Sequence, residues 1–477
     1  MTAQAAPDLP IPGPRRAWWL REALAAEGPS LLAPSLFGEE VADVAIVGGG
    51  YTGMWTAYFL GEMAPDARIV LLEGDICGGG PSGRNGGFLH GWWENLPYLV
   101  RRFGPGQGLR IAQAADEVVD GIGSWCEQHG VDAKFTRRGY LRVNAFPKVA
   151  NDWAGSIISL ERLGAPGQLV HLDREAVRAI CASPAFGEGV MMPSAATVQP
   201  AMLARGLRRV LLERGVSIHE GTAVTRLNPV PTGVRLTTAR GSVSAARAVL
   251  AVNAWAAGWP GFRTRMLAWG SYMVVTEPIP DLLAALGWTG GEAISDSRFT
   301  ISYFRTTQDG RIAFGAGVGN AGYDGRIGPV FTHDRRAIER VVANFRHLLP
   351  TLAGVRFDDA WGGPIDITAD RFPVIGSQHG GRVLYAHGFA GNGVGPARLA
   401  GRLLAARLAG RRDSMALPLF ERRQRILPPE PFRYFGARAI REALIRLDDD
   451  LDAGRRPSLL TRIVAQVPSL LGYQFRH

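Results

Sequence analysis

The feature that most constrains this chain is a glycine run at the end of a short apolar stretch. Val44 to Val47 is continuously apolar, and Gly48-Gly49-Gly50-Tyr51-Thr52-Gly53 follows at once. An unbroken apolar run suits a strand buried on both faces of a parallel sheet. Met54 to Met63 then reads as a helix and Arg68 to Leu72 as a second buried strand. Strand, helix and strand within about 30 residues make a βαβ unit. In such a unit Gly48 permits the tight turn, Gly50 lets backbone approach a pyrophosphate, and Gly53 lets the helix lie close on the sheet. The helix N-terminus offers free N–H groups and a positive dipole to phosphates. Glu73 ends the second strand, 20 residues after Gly53. A carboxylate there accepts hydrogen bonds from both hydroxyls of an adenosine ribose and repels a 2′-phosphate. The expected ligand is a dinucleotide.

Two further glycine-rich segments bear on which one. GGGPSGRNGG lies within residues 74 to 91, where glycine disfavours helix and strand alike. It is either a flexible loop or a place where backbone meets a ligand. GFAGNGVG at 388 to 395 precedes a helix from Pro396 to Leu408. That is a second helix N-terminus facing something anionic, such as the N1–O2 edge of a reduced isoalloxazine. The first motif alone does not separate NAD from FAD. The mixed pattern of the rest of the chain argues against a simple two-domain nicotinamide dehydrogenase, which stays as an alternative.

Between these segments, helices are expected at 107–130, 174–181, 200–214 and 332–349. Strands are expected at 139–143, 216–219, 223–227, 234–238, 248–252, 272–276, 299–304 and 311–315. A short helix is expected at 18–24, and residues 413–477 read as an arginine-rich helical tail.

Composition narrows the classes. Hydrophobic residues make up 46% and charged residues 20%, which is a globular balance. The formal charge of +10 raises the question of a polyanion partner. However, only Lys134 and Lys148 are lysines, and sixteen Arg against eight acids from residue 398 onward carry +8 of the total. The body is nearly neutral. No nucleic-acid reader motif accompanies the tail, and no nucleic-acid partner is expected. Cys77, Cys126 and Cys181 are too far apart for a CxxC metal site, and no metal is expected. The opening MTAQAAPDLPIPGPRR has no apolar core, so a signal peptide is not expected and the reading is cytoplasmic.

Four stretches carry a resemblance: ADVAIVGGGYTGMWTAYFL, LLEGDICGGGPSGRNGG, AWGGPIDITADRFPVIG and LYAHGFAGNGVGPARLAGRLLA. In this order they resemble the FAD-dependent D-amino-acid-oxidase/glycine-oxidase superfamily, closest to its gamma-glutamylputrescine oxidoreductase-like branch, over roughly residues 15 to 410. The resemblance implies an α/β fold: a Rossmann-like FAD-binding domain, a discontinuous mixed-sheet α+β substrate domain and a helical C-terminal extension. The expected boundaries are 1–37 for an N-terminal extension; 38–100, 195–265 and 355–412 for the FAD-binding domain; 101–194 and 266–354 for the substrate domain; and 413–477 for the tail.

Carried over position by position, the resemblance implies that Gly48, Gly50, Tyr51, Thr52 and Gly53 meet the pyrophosphate and Glu73 the ribose. Ser82, Arg84, Asn85, Gly86 and Gly87 would lie beside the pyrophosphate, ribityl chain and flavin. Val224 would meet the adenine and Ala251 the diphosphate. Gly391, Asn392, Gly393 and Val394 would face the flavin edge, and Arg371 belongs to the DRFPVIG motif.

The implied reaction is oxidation of a C–N bond in an amine or amino acid. Hydride passes to flavin N5, and the imine is hydrolysed to a carbonyl and an amine or ammonia. Hydride transfer needs no protein acid or base, so no catalytic residue is assigned. Substrate-side candidates are His90, Trp269, Tyr272, Tyr303, Arg305 and Phe389, with Trp92, Trp93, Phe304 and Arg298 beside them. No Cys follows Cys181 and no His precedes Gly86 in the first glycine region, so FAD is expected to be non-covalent; His90 and His387 are the remaining linkage or proton-transfer candidates. No Lys falls near 270–305, where some relatives place an oxygen-activating one. Oxygen is the favoured electron acceptor, and a dehydrogenase using a carrier is the alternative. The tail is read as a helix packed on the body. A subunit contact through it is open, and membrane contact is not expected.

Overall fold

The computed structural model describes residues 16–28, 32–146, 153–332, 334–413 and 416–474. The opening fifteen residues and Lys148 lie outside the described residues, and with them the expectation for the N-terminus.

The first sheet grows from the expected βαβ unit. Its strand spans Gly38–Val47, longer than the apolar run that marks it. Only Val44 to Val47 is covered on both faces; the outer half alternates toward solvent, which hid it from an apolar-run criterion. Tyr51–Met63 is the helix and Ile69–Leu72 the parallel partner strand. On the other side of Gly38–Val47 runs Gly241–Leu250, also parallel. This strand begins seven residues before the expected Ala248, because pairing to both Gly38–Val47 and Gly233–Thr237 orders its polar half. The strand order is Arg226–Val230, Gly233–Thr237, Gly241–Leu250, Gly38–Val47, Ile69–Leu72 and Ser217–His219. Val383–His387 pairs with the end of Gly241–Leu250, and Val374–Gln378 pairs with it in turn.

The helices Tyr51–Met63 and Val394–Leu408 lie on this sheet, and Pro105–Gln128 packs on Val394–Leu408. Tyr51–Met63 and Val394–Leu408 pack so closely that a Cβ at Gly401 would stand 2.6 Å from Trp55 Cβ. Trp55, Tyr58, Phe59 and Trp125 form the aromatic centre of this layer.

The second sheet is mixed. Its order is Phe357–Ile367, Leu267–Thr276, Ile312–Ala316, Ser302–Thr306, Ala293–Asp296, Tyr140–Val143, Gly189–Met192 and Val170–Leu172. Phe357–Ile367 therefore joins this sheet, although it falls within the expected 355–412 segment of the other domain. Helix Arg335–Leu348 lies on the sheet. Its Ile338, Val341, Val342, Phe345 and Leu348 are buried at helical spacing, and Asp334 caps it by accepting from the Ala337 N–H. A small three-stranded sheet has the order Phe88–Leu89, Ala196–Thr197 and Thr136–Arg137.

The tail forms helices Pro418–Glu421, Phe432–Asp452 and Leu459–Leu470, the last two packed on each other. It is tied to the body by specific bonds. Arg422 pairs with Asp370 and donates to the Phe372 and Pro373 carbonyls, and Arg433 donates to Met266 O. No helix among the described residues is long and apolar enough to cross a membrane.

Candidate functional site

One cavity of about 730 Å³ runs between the two sheets and gathers all three glycine-rich segments. At one end are Thr222, Ala223 and Val224, just beyond the strand Ser217–His219. The middle is lined by Gly48, Gly50, Tyr51, Thr52, Glu73, Ser82, Arg84 and Ala251. The other end is closed by Asn85, Gly86, Arg371, Phe389 and Gly391 to Val394.

The glycines divide by physical role. Gly48 has φ +109°, and a Cβ on it would stand 2.4 Å from Ala251 O. A Cβ on Gly53 would stand 2.0 Å from Gly48 O. Gly53 does not line the cavity, so its place in the motif is helix-to-strand packing, not ligand contact. Gly87 also lies off the cavity: φ is +75° and a Cβ would strike Val198 O at 2.0 Å. Both were expected at the cofactor, and both act on it only through the backbone they shape. Tyr51 likewise offers backbone: its hydroxyl is buried and donates to Pro200 O at 2.7 Å.

Glu73 is partly buried at the end of Ile69–Leu72 and accepts from the Gly49 N–H at 2.7 Å and the Asp75 N–H at 2.9 Å. Burial pushes its carboxyl above the ordinary value, against these bonds. The segment Ser82 to Gly87 folds around Asn85, which donates to the Pro81 and Ser82 carbonyls and accepts from the Gly87 N–H. Ser82 Oγ accepts from the Tyr51 N–H at 2.9 Å, joining this segment to the helix N-terminus.

The 388–393 loop is held by a residue that sequence reading missed. Asp366, on Phe357–Ile367, is fully buried; its carboxylate accepts from the Gly388 and Phe389 N–H groups and from Asn253 Nδ2. Burial pushes its carboxyl up to about 6. The loop carries left-handed backbone at Gly388, Ala390 and Gly391, so Asp366 holds a conformation with intrinsic cost. An acid inside the apolar strand sequence AWGGPIDI was the available signal. Arg371 is left-handed too, with φ 61°; burial lowers its guanidinium to about 10.

Of the substrate-side candidates, His90, Tyr303, Phe389 and Arg298 line the cavity. His90 Nδ1 lies 2.9 Å from Gly91 O, a carbonyl that only accepts. Nδ1 therefore carries the proton, and burial keeps the ring neutral by lowering its pKa. Tyr303 OH meets Ser271 Oγ at 2.9 Å, and burial pushes the phenol up to about 12.

Trp269, Tyr272 and Arg305 do not line the cavity, which corrects their candidacy. Trp269 donates to Gly317 O, and Tyr272 is fully buried with its hydroxyl donating to Val330 O. Arg305 donates to Val198 O at 2.6 Å and lies over the Trp19 ring. Trp92, Trp93 and Phe304 are core residues, and His387 also lies off the cavity. Glu94, Tyr140 and Arg142 take these places in the lining; Glu94 and Arg142 are nearly buried and 3.6 Å apart. No local pattern marks them, because they converge from a loop and a strand distant in sequence.

The arrangement fits an extended FAD. A glycine cradle, the partly buried carboxylate of Glu73 and a second helix N-terminus, at Val394, all line the one cavity. Gly391 is open to that end: with φ +87°, its nearest neighbour to an added Cβ is Ile365 Cδ1 at 3.5 Å.

Fold and cavity together define a dinucleotide-binding oxidoreductase body. Comparison with known proteins makes the assignment particular: the family model described as FAD dependent oxidoreductase matches residues 43–407, and the chain belongs to that family. It is therefore an FAD-dependent oxidoreductase, and FAD is its cofactor. It is 30% identical over 373 residues to gamma-glutamylputrescine oxidoreductase of Escherichia coli K12, covering 77% of this chain and 84% of that protein. It is 29% identical over 413 residues to the probable oxidoreductase OrdL of Rhizobium meliloti, covering 85% of this chain and 90% of that protein. The crystal structure of glycine oxidase from Geobacillus kaustophilus shares the fold, with TM-score 0.67 at 20% identity over 81% of this chain and 100% of that one.

Proposed function

We propose that this chain oxidises the C–N bond of an amine or amino acid. The carrying observation is one continuous cavity that joins the glycine cradle to a polar set of Tyr140, Arg142 and Tyr303 on the second sheet, with His90 and Glu94 beside them. The similarity to gamma-glutamylputrescine oxidoreductase supports the amine class. When bound, the flavin supplies the hydride-accepting chemistry.

The chain's own residues then bind and orient. Gly48, Gly50 and the helix N-terminus at Tyr51 would hold the diphosphate, Glu73 the ribose, and Gly391 to Val394 the N1–O2 edge, where a reduced flavin carries negative charge. The Asp366 bonds keep that last loop in place. His90 is neutral and offers Nε2 as a lone-pair nitrogen that can take a proton from an ammonium substrate. Glu94 and Arg142 supply opposite charges for the ends of a zwitterionic or cationic substrate, and the buried walls exclude water. Residues 38–100, 195–265 and 355–412 are taken as cofactor-binding segments, with 101–194 and 266–354 presenting substrate.

FAD is proposed to be non-covalent. Cys77, Cys126 and Cys181 are buried outside the cavity lining, and burial raises the pKa of each thiol. Oxygen is the proposed acceptor. One observation favours the dehydrogenase reading: Lys134 pairs with Asp132 away from the cavity, Arg305 turns elsewhere, and Arg298, the other arginine that could stand in for a lysine toward oxygen, lines the cavity but is paired with Asp296 and Asp452.

The test is anaerobic mixing of the FAD-loaded protein with a panel of primary amines, secondary amines and amino acids. Bleaching of the flavin by at least one is expected, and failure across the panel would overturn the reading. Repeating the reaction in air separates the acceptors: rapid return of the flavin colour supports oxygen.

A further inference from the structure

We infer that the C-terminal helix Phe432–Asp452 sets the substrate-side wall of the cavity, with Asp448 as a positioning residue. The inference rests on the amine-oxidising reading for its kinetic arm alone.

Residues 297 to 301 connect the strands Ala293–Asp296 and Ser302–Thr306 without joining the sheet ladder. Ser297, Arg298, Phe299 and Ile301 line the cavity. A connection of this kind leaves backbone N–H groups that need an acceptor. Asp448 supplies it: fully buried, it accepts from the Phe299 N–H at 3.0 Å, the Thr300 N–H at 2.9 Å and Thr300 Oγ1 at 2.6 Å. One helical turn further on, Asp452 lies 3.0 Å from the Arg298 guanidinium, which also meets Asp296 at 3.3 Å. The other end of the connection is tied by Asp296, which accepts from the Ser302 N–H at 2.8 Å. The wall is thus held between one acid of the sheet and two of the tail.

Anchoring the tail is not the reason for Asp448. The helix is docked independently at its other end. Glu430 pairs with Arg433 and accepts from the Asp324 N–H, and Arg441 donates to the Val318 and Gly319 carbonyls. A buried carboxylate is costly unless its hydrogen bonds are well made, and here the Phe299 N–H, the Thr300 N–H and the Thr300 hydroxyl that donate to it all belong to one short piece of cavity wall. Phe299 also lines a second cavity, whose other walls include Leu444, Leu447, Arg462 and Gln466 of the tail. It is a partition between the two spaces. A shift of this backbone moves the partition and so alters how an amine is held.

The test compares FAD-loaded wild type with Asp448→Asn and Thr300→Val, and with Asp450→Asn as control. Asp450 lies on the same helix and pairs with Arg455, so its loss changes charge equally without touching the wall. Hydrogen exchange read by mass spectrometry should quicken about tenfold over 296–301 in Asp448→Asn and by a smaller factor in Thr300→Val, with 48–53 unchanged. In anaerobic flavin reduction, the amine dissociation constant should rise roughly tenfold in Asp448→Asn. Flavin content and the limiting rate should stay close to wild type, and Asp450→Asn should match wild type in every readout. Unchanged exchange at 296–301 in both variants overturns the inference, as does faster exchange with an unaltered amine constant. If Asp448→Asn does not fold, Thr300→Val decides by the same two readouts. A wild-type flavin that no amine reduces refutes the proposed function instead, and exchange alone then decides whether Asp448 holds the wall.

Discussion

Gly53→Ala adds one methyl group, and the structure says what it meets. The new Cβ would stand 2.0 Å from Gly48 O, 3.1 Å from Ile46 Cγ2 and 3.2 Å from Gly48 C. Gly48 cannot retreat, because its own Cα faces Ala251 O on the neighbouring strand. The helix Tyr51–Met63 must therefore move by about 1.4 Å to reach an ordinary contact of 3.4 Å. Forcing that shift costs about 1–3 kcal/mol, offset by up to about 1 kcal/mol from alanine's better helix propensity. The net loss, up to about 2 kcal/mol, should lower the melting temperature by up to about 2 °C in a chain of this size, whose unfolding entropy is about 1 kcal/mol per K. Cofactor affinity should suffer more. Displacing the Gly50 N–H removes one charge-assisted hydrogen bond to phosphate, worth about 1.5–3 kcal/mol or roughly ten- to a hundredfold in the FAD dissociation constant. The assay is flavin-to-protein ratio after gel filtration, with FAD titration into the stripped protein. Gly61→Ala in the same helix is the control, because nothing lies within 4 Å of its added Cβ. It should retain FAD fully and gain up to about 1 kcal/mol. If Gly53→Ala holds FAD as tightly as wild type, the helix-to-strand packing argument is wrong.

Other substitutions separate cofactor, loop and core. Glu73→Gln keeps shape but removes charge opposite the Gly49 and Asp75 N–H groups, and the FAD dissociation constant should rise roughly tenfold in the same titration. Asp366 is raised from 3.8 to about 6, so the folded protein holds this proton more tightly than the unfolded chain; its contribution to stability is full below about pH 4 and is lost as pH rises through 6. Denaturant titrations should show the gap between wild type and Asp366→Ala narrowing by up to about 3 kcal/mol over that window. A gap that widens instead would reverse the assigned sign. His387 has no hydrogen-bond partner on either ring nitrogen among the described residues, and burial lowers its pKa to about 3, so the ring is neutral. His387→Phe should leave the pH profile of flavin reduction unchanged and stability within about 1 kcal/mol; a shifted profile would return His387 to the proton-transfer candidates.

The parts of the site legible in sequence were those written in backbone. Glycines at 48, 50 and 53, followed by a helical pattern and an acid at 73, report a local geometry that needs no distant partner. The same holds for 388–395, where glycine and a following helix announce a turn. Side chains pointing across the molecule were harder. Tyr303 and Arg305 share a strand face, yet only Tyr303 lines the cavity; Arg305 is drawn to Val198 O by a segment more than a hundred residues away. The expected strand at 299–304 is ordered as a strand only from Ser302, because Asp448 holds Phe299 and Thr300 outside the ladder.

The sequence by itself determined the dinucleotide cradle, the family and the near-neutral body, since these depend on residue type at short spacing. Tertiary structure alone decided which aromatic and charged side chains face the cavity, what steadies the 388–393 loop, and where the tail goes. Those outcomes depend on strand register and on buried acids meeting backbone from remote segments. The arginine-rich tail shows the difference best: its surplus charge drew notice in the sequence, but its buried aspartates are what reach the cavity wall.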